Sequence, residues 1–287
     1  MMKKMIKVLS AAVLLGTMAG CTDAVAKFEQ ADEVLMKVGN ITVTKGQMYN
    51  TLLAQSGADV IRNQGLKVIC DIEVEETEEL RAAAQIDFDY YNALYGGTLE
   101  ETLAQSGMTP ESYMEVLIDG KQSDVLIRKY IEENLDSYIE KLQPIMATVL
   151  SFNTEEDANA AMSALADGSK TLDDILAEGK TSSEGTTEVI TINTTDYGTT
   201  VNTVLRGMTP DDSWTVITFA EKANVFVARV DDTDPQNFRQ VLIDELDGQD
   251  EINDDALSHY FKKYNFHIYD KNVLDIVTNT YPEIVVQ

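Results

Sequence analysis

Histidine and cysteine are scarce here, with two of each among 287 residues. That stock excludes a zinc ribbon, an array of zinc fingers and a disulfide scaffold. Positive charge is short as well: 22 Lys and Arg stand against 49 Asp and Glu, for a formal charge of −27. Nucleic-acid binding depends on Lys and Arg releasing counterions from phosphate, so no nucleic-acid partner is expected. Chemistry that uses imidazole has only His259 and His267 to draw on. There is no Gly-rich phosphate loop, no Gly-x-Ser-x-Gly elbow and no repeat of fixed period. What remains is 44% hydrophobic and 25% charged, a globular composition. The length suits one to two domains with a real core.

The first twenty residues read as an export signal rather than as part of the fold. Lys3, Lys4 and Lys7 lie around the start of an apolar run, Val8 to Met18. That run is shorter than the ~20 residues a membrane span needs. It ends Met18-Ala19-Gly20-Cys21, which resembles a bacterial lipobox with Met in the usual Leu position. The resemblance implies that Cys21 carries a diacylglycerol, becomes the mature N-terminus and ties the chain to the membrane. The plainer alternative is an unlipidated signal with a chance cysteine. Removing residues 1–20 takes away three Lys and no acid, moving the charge from −27 to −30. Residues 21–33 read as a tether. Cys70, among Val68, Ile69 and Ile72, reads as a buried thiol; a nucleophile would need a base nearby.

Along the mature chain, Val34–Val38 and Ile41–Val43 are short strand candidates around a Gly39-Asn40 turn. Thr44 and Gln47 have capping-box spacing and open a helix to about Gln55, with Gly57 at its C′ position. A second helix carries Val60 to Ile69, and a third runs from about Glu78 to Tyr95. Thr98 and Glu101 suggest another capping box, and Thr109-Pro110-Glu111 opens a long helix. After Pro144 the pattern changes. Ile145–Phe152 is β-rich, Thr154 and Thr171 cap two helices, and Val189–Ile192 is an extended piece. Trp214–Phe219 and Asn224–Val230 are strands joined around Glu221-Lys222. Helices return over Gln236–Leu246 and Asp254–Tyr264. Phe266–Tyr269 alternates like a strand, and Asn272–Thr278 reads as a last helix. The class is α+β, with helical segments 34–143 and 236–287 bracketing an α+β module, 144–235.

This order resembles the PrsA-type foldase lipoproteins, relatives of SurA-like chaperones. The similar strings are Val38-Gly-Asn-Ile-Thr-Val-Thr-Lys45, Leu99 through Tyr113, Asn224-Val-Phe-Val-Ala-Arg-Val230 and Phe261 through Asp270. The resemblance implies a mostly helical SurA/PrsA-like chaperone domain with an inserted parvulin-like domain. Parvulins are peptidyl-prolyl cis-trans isomerases with a His in the first strand and another in the last. Here Val149 and Phe226 stand in those places, and the family's Gly-Gly-Asp-Leu-Gly turn is missing. Val149, Tyr197 and Phe226 are the candidates to line the proline slot. Catalysis of X-Pro isomerisation needs such a slot and a polar network favouring the twisted amide. Val149 and Phe226 supply no network, so no catalytic residue is assigned and weak or absent activity is expected.

The expected function is a membrane-anchored extracytoplasmic foldase that holds unfolded or partly folded exported proteins, without a cofactor. An active isomerase with a non-standard site is the alternative, and a solute-binding lipoprotein a third reading. His259 and His267 read as surface residues on different elements. The acids at 231–234 and 244–255 match no Ca²⁺ loop and read as a solvated face, with no metal expected. Met48, Tyr49, Tyr90, Tyr91, Tyr95, Tyr113 and Met114 read mostly as core, a subset lining a client groove.

Overall fold

The structure is a computed structural model that describes residues 29–210, 213–218 and 224–286. The leader, Cys21, the tether up to residue 28 and the Glu221-Lys222 turn lie outside the described residues. The chain is an α+β protein. Its packing divides into two units, one taking in residues up to Leu66 with those from Phe261 onward, the other Lys67–Tyr260.

In the first unit, β1 (Val34–Val38) and β2 (Ile41–Thr44) form an antiparallel hairpin with Val38 opposite Ile41. Gly39 turns the chain with φ of 59°, a value a side chain would resist. The Thr44 cap forms as expected: the Gln47 N–H donates to Thr44 Oγ1 at 3.3 Å, and the Thr44 N–H donates to Gln47 Oε1 at 2.8 Å. The helix it opens does not stop at Gly57. Helix α1 (Lys45–Glu73) is one element of 29 residues, so the two expected helices are one. Leu53, Gly57, Ile61, Gly65 and Ile69 recur every four residues on its less exposed side, so Gly57 is a small residue on a continuous stripe.

The Phe266–Tyr269 strand is also corrected. These residues form no strand and pair with none among the described residues. An alternating segment becomes a strand only where a neighbour completes its ladder. Instead the Phe266 N–H donates to the Phe261 carbonyl, and the two rings pack edge to face at 4.8 Å. A Cβ on Gly65 would come within 2.7 Å of the Phe261 ring, so glycine is required there. Helix α10 (Lys271–Thr280) follows, capped by Asp270, and a 3₁₀ turn (Pro282–Ile284) ends this unit.

In the second unit, α2 (Glu78–Leu94) is capped by Thr77 and closed by Gly96 and Gly97. Helix α3 (Leu99–Gln105) begins at Thr98 without the expected capping box, because the Thr98 hydroxyl donates back to the Tyr95 carbonyl at 2.8 Å. Helix α4 (Pro110–Leu142) has a full capping box between Thr109 and Ser112. It packs on α2 through Phe88, Tyr91 and Tyr113, whose ring centroids lie 6.2 and 6.3 Å apart.

The sheet follows. Its strands β3 (Ile145–Phe152), β4 (Thr187–Ile190), β5 (Thr215–Ile217) and β6 (Val225–Asp232) stand in the order β4-β3-β6-β5, all antiparallel. Alternation along β3 sends Ala147 and Val149 to one face and Leu150 and Phe152 to the other. The second face packs against α5 (Glu155–Ala166) and α6 (Leu172–Ala177), with Ala158, Ala161 and Ile175. The first packs against α7 (Thr199–Gly207) through Val201 and Leu205. Helix α8 (Arg239–Asp247) joins the C-terminal half of α4, with Leu135, Leu242 and Leu246 at 1% exposure or less. Helix α9 (Asp250–Lys263) starts four residues before the expected Asp254.

Candidate functional site

The site grows out of the sheet face that carries α7. On β3, Ala147, Val149 and Ser151 share that face. The register places Glu188 of β4 opposite Ala147, and Phe226 of β6 opposite Ser151. Val149 and Phe226 are 2% and 3% exposed and form an apolar floor. Tyr197, in the loop before α7, stands edge-on to Phe226 with centroids 5.9 Å apart and an interplanar angle of 80°. The loop after α6 supplies Ser182, Ser183, Glu184, Gly185 and Thr186. Together these residues line an open cleft of about 370 Å³. Gly185 has φ of 71°, and a Cβ there would meet Leu176 at 2.8 Å, so only glycine lets the loop pass. The three residues that the sequence named for a proline slot, Val149, Tyr197 and Phe226, thus come together in one cleft.

Polar groups outnumber apolar ones around it. The Ser151 N–H donates to Ser183 Oγ at 2.9 Å, and Asn224 Nδ2 donates to Ser151 Oγ at 3.1 Å. The Tyr197 hydroxyl donates to Glu188 Oε1. Burial pushes the Glu188 carboxyl up from its ordinary value, and the charges of Asp196 and Glu245 add to this; the Tyr197 hydrogen bond opposes it. The Tyr197 phenol is likewise raised, by burial first and then by its bond to Glu188. Glu184 and Asp196 line the mouth, and no Lys, Arg, His or Cys is among the lining residues. Such a cleft can bind and orient a polar segment of chain. It holds no pair of groups suited to nucleophilic attack or proton transfer by imidazole or thiol.

The sequence reasoning missed Glu188, Asp196, Ser151 and Asn224. The signal for Glu188 was an acid just before the apolar pair Val189-Ile190, readable only once the phase of β4 is known. The other named residues lie elsewhere. His259 and His267 are exposed; His259 stacks near Tyr130 and Tyr260, with centroids 5.3 and 5.0 Å away. The Cys70 thiol is 1% exposed, and burial and the Asp119 charge push it up to about 12. That value leaves it no thiolate at neutral pH. Of the acids at 231–234, Asp231 accepts from Thr148 at 2.8 Å and Asp232 from Asn237 at 2.9 Å. Among the described residues no group of three or more His, Cys, Asp or Glu is placed to hold a metal ion.

The aromatic and Met residues expected mostly in the core are not there. None of Met48, Tyr49, Tyr90, Tyr91, Tyr95, Tyr113 or Met114 is buried. Their residue types suggested the core, but Met48, Tyr49, Tyr90 and Tyr95 are exposed and Tyr91, Tyr113 and Met114 are half-buried. On α2, Ile86, Tyr90 and Leu94 are 69%, 63% and 66% exposed and form a continuous apolar stripe.

No family model matches the chain. It is similar to "Foldase protein PrsA 2" of Streptococcus pyogenes, 26% identical over 182 residues, 57% of this chain and 55% of that one. It is also similar to "Foldase protein PrsA 1" of Listeria monocytogenes, 26% identical over 146 residues, 51% of this chain and 44% of that one. The chain spans about half the length of the curated relatives it matches. Among solved structures, a foldase protein PrsA from Streptococcus pneumoniae aligns with a TM-score of 0.47 and 14% identity, covering 88% of this chain and 99% of that one. The peptidylprolyl isomerase PrsA from Bacillus cereus aligns with a TM-score of 0.49 and 10% identity, covering 87% and 98%. Among the described residues no helix is long and apolar enough to cross a membrane.

Proposed function

We propose that this chain is a PrsA-type foldase that works as a chaperone outside the cytoplasm, lipid-anchored through Cys21, and holds unfolded or partly folded exported proteins. The segments 34–143 and 236–287 would hold clients, and 144–235 would be a parvulin-like module without histidine-assisted isomerase chemistry. The observation that carries this reading is the open apolar stripe of Ile86, Tyr90 and Leu94 on α2. Contiguous exposed apolar surface on a soluble chain marks a place where other proteins dock. The large negative charge keeps such a surface soluble. The similarity to curated PrsA foldases supports the same reading. For the module, the support is the cleft itself, where Val149 and Phe226 form a floor and no imidazole lines the wall.

The test is to mix the full chain with a chemically denatured client and follow light scattering, alongside a prolyl-peptide isomerisation assay. The expected result is suppressed aggregation without acceleration of isomerisation, and loss of suppression in Ile86→Asp/Leu94→Asp. No suppression by the wild-type chain would overturn the chaperone reading. Parvulin-like rates abolished by Val149→Ala or Phe226→Ala would overturn the assignment of an inactive module.

A further inference from the structure

We propose that the cleft between β3, β4, β6 and the loop before α7 receives the basic side chain of an extended polypeptide, an Arg or Lys, rather than a proline ring. This rests on the foldase reading for the source of the polypeptide and adds the residue class that the cleft selects.

Three features of the cleft converge on a cation. Its walls carry Glu184, Glu188 and Asp196 and contain no Lys or Arg, so nothing in the lining neutralises them. Glu188 is half-buried at the inner end, where its only hydrogen-bond partner among the described residues is the neutral Tyr197 hydroxyl. The charged groups acting on it, Asp196 from its own loop side and Glu245 from α8, are both negative. A carboxylate withdrawn from water without a cation is unfavourable alone and is stabilised by a ligand that brings one. The rest of the cleft suits the stem behind such a head group. Val149, Phe226 and Tyr197 give an apolar floor with an aromatic edge, against which a (CH₂)₃ or (CH₂)₄ stem packs. A volume of about 370 Å³ holds one long side chain with its backbone at the mouth, where Ser182, Thr186 and Asn224 present groups that pair with peptide N–H and C=O. A proline ring would satisfy the floor and bring no cation to Glu188.

The overall charge of −27 attracts any basic peptide, so the test must separate the cleft from the general field. The probes are two fluorescent extended peptides that differ at one central residue, Arg in one and its uncharged isostere citrulline in the other. Binding to the full chain is read by anisotropy at fixed ionic strength. The Arg peptide is expected to bind about tenfold more tightly, the scale of one charge-assisted hydrogen bond with its Coulomb attraction. Glu188→Gln is expected to remove most of that preference and leave the citrulline peptide unaffected. Asp196→Asn, on the exposed rim, is expected to reduce it partly, and serves if Glu188→Gln folds poorly. Asp254→Asn removes the same charge from the exposed side of α9 and is the field control. Equal binding of the two peptides, or equal effects of Asp196→Asn and Asp254→Asn, would overturn the proposal. If peptides bind without Arg preference while aggregation is still suppressed, the cleft inference fails and the foldase reading stands. If the chain neither binds peptides nor suppresses aggregation, both fail.

Discussion

At the residue scale, the half-buried Glu188 makes a prediction about stability that is independent of any ligand. Its carboxyl titrates above its ordinary value of 4.5 in the folded chain. The folded state therefore keeps a proton where the unfolded chain has lost it. The stability this proton confers is complete below the ordinary value and is lost as pH rises through the folded one. Glu188→Gln keeps an acceptor for the Tyr197 hydroxyl and cannot ionise. Its melting temperature should exceed that of the wild type at mildly alkaline pH and match it at acid pH, measured by thermal scans across the range. A second residue shows the opposite economy of polar groups. Gln122, 3% exposed on α4, donates to the Val74 carbonyl at 2.9 Å where α1 ends. Gln122→Ala leaves that carbonyl buried and unpaired and should lower stability by about 1–3 kcal/mol in urea unfolding.

At the scale of elements, side-chain caps decided where several helices start, and residues of positive φ close several of them, among them Gly96, Gly107, Gly168 and Gly179. Thr44, Thr109, Thr154 and Thr171 cap helices where their spacing placed them. Gly57 shows the limit of the same reasoning, because a glycine in a helical stripe looks locally like a helix end. The junction of α4 and β3 carries a strain the sequence does not announce. Gln143 closes α4 with φ of 47° and ψ of 58°, and its carbonyl accepts from Arg206 at 2.8 Å. A side chain in that left-handed region costs roughly 1–2 kcal/mol, and glycine escapes it at the expense of extra freedom when unfolded. Gln143→Gly keeps the carbonyl and should therefore raise stability by up to about 1 kcal/mol, read from the denaturation midpoint.

At the scale of the whole molecule, the proposed anchoring and client binding would act together. A lipid on Cys21 would place the chain at the membrane face where exported polypeptides emerge unfolded. Expressed in a bacterium, Cys21→Ala should abolish incorporation of labelled fatty acid and release the chain from the membrane fraction. Unchanged labelling would sink the lipobox reading. Much of the fold was legible in advance: the hairpin at Gly39-Asn40, the span of β3, the two helices after it and the α+β class all follow from period and capping. The strand at Phe266–Tyr269 was not, since alternation says which side chains turn inward and nothing about whether a partner strand is present.

The resemblance to parvulins pointed to Val149, Tyr197 and Phe226. The sequence by itself determined the scarcity of imidazole and thiol, the negative charge and the caps. These are properties of single positions and local spacing, which need no partner to be read. Only the tertiary structure decided that the three residues share a cleft with Glu188 and Asp196. It also decided that Ile86, Tyr90 and Leu94 of α2 stay in solvent. Both depend on strand register and on which helix faces find a neighbour, and those are set by contacts between residues distant along the chain.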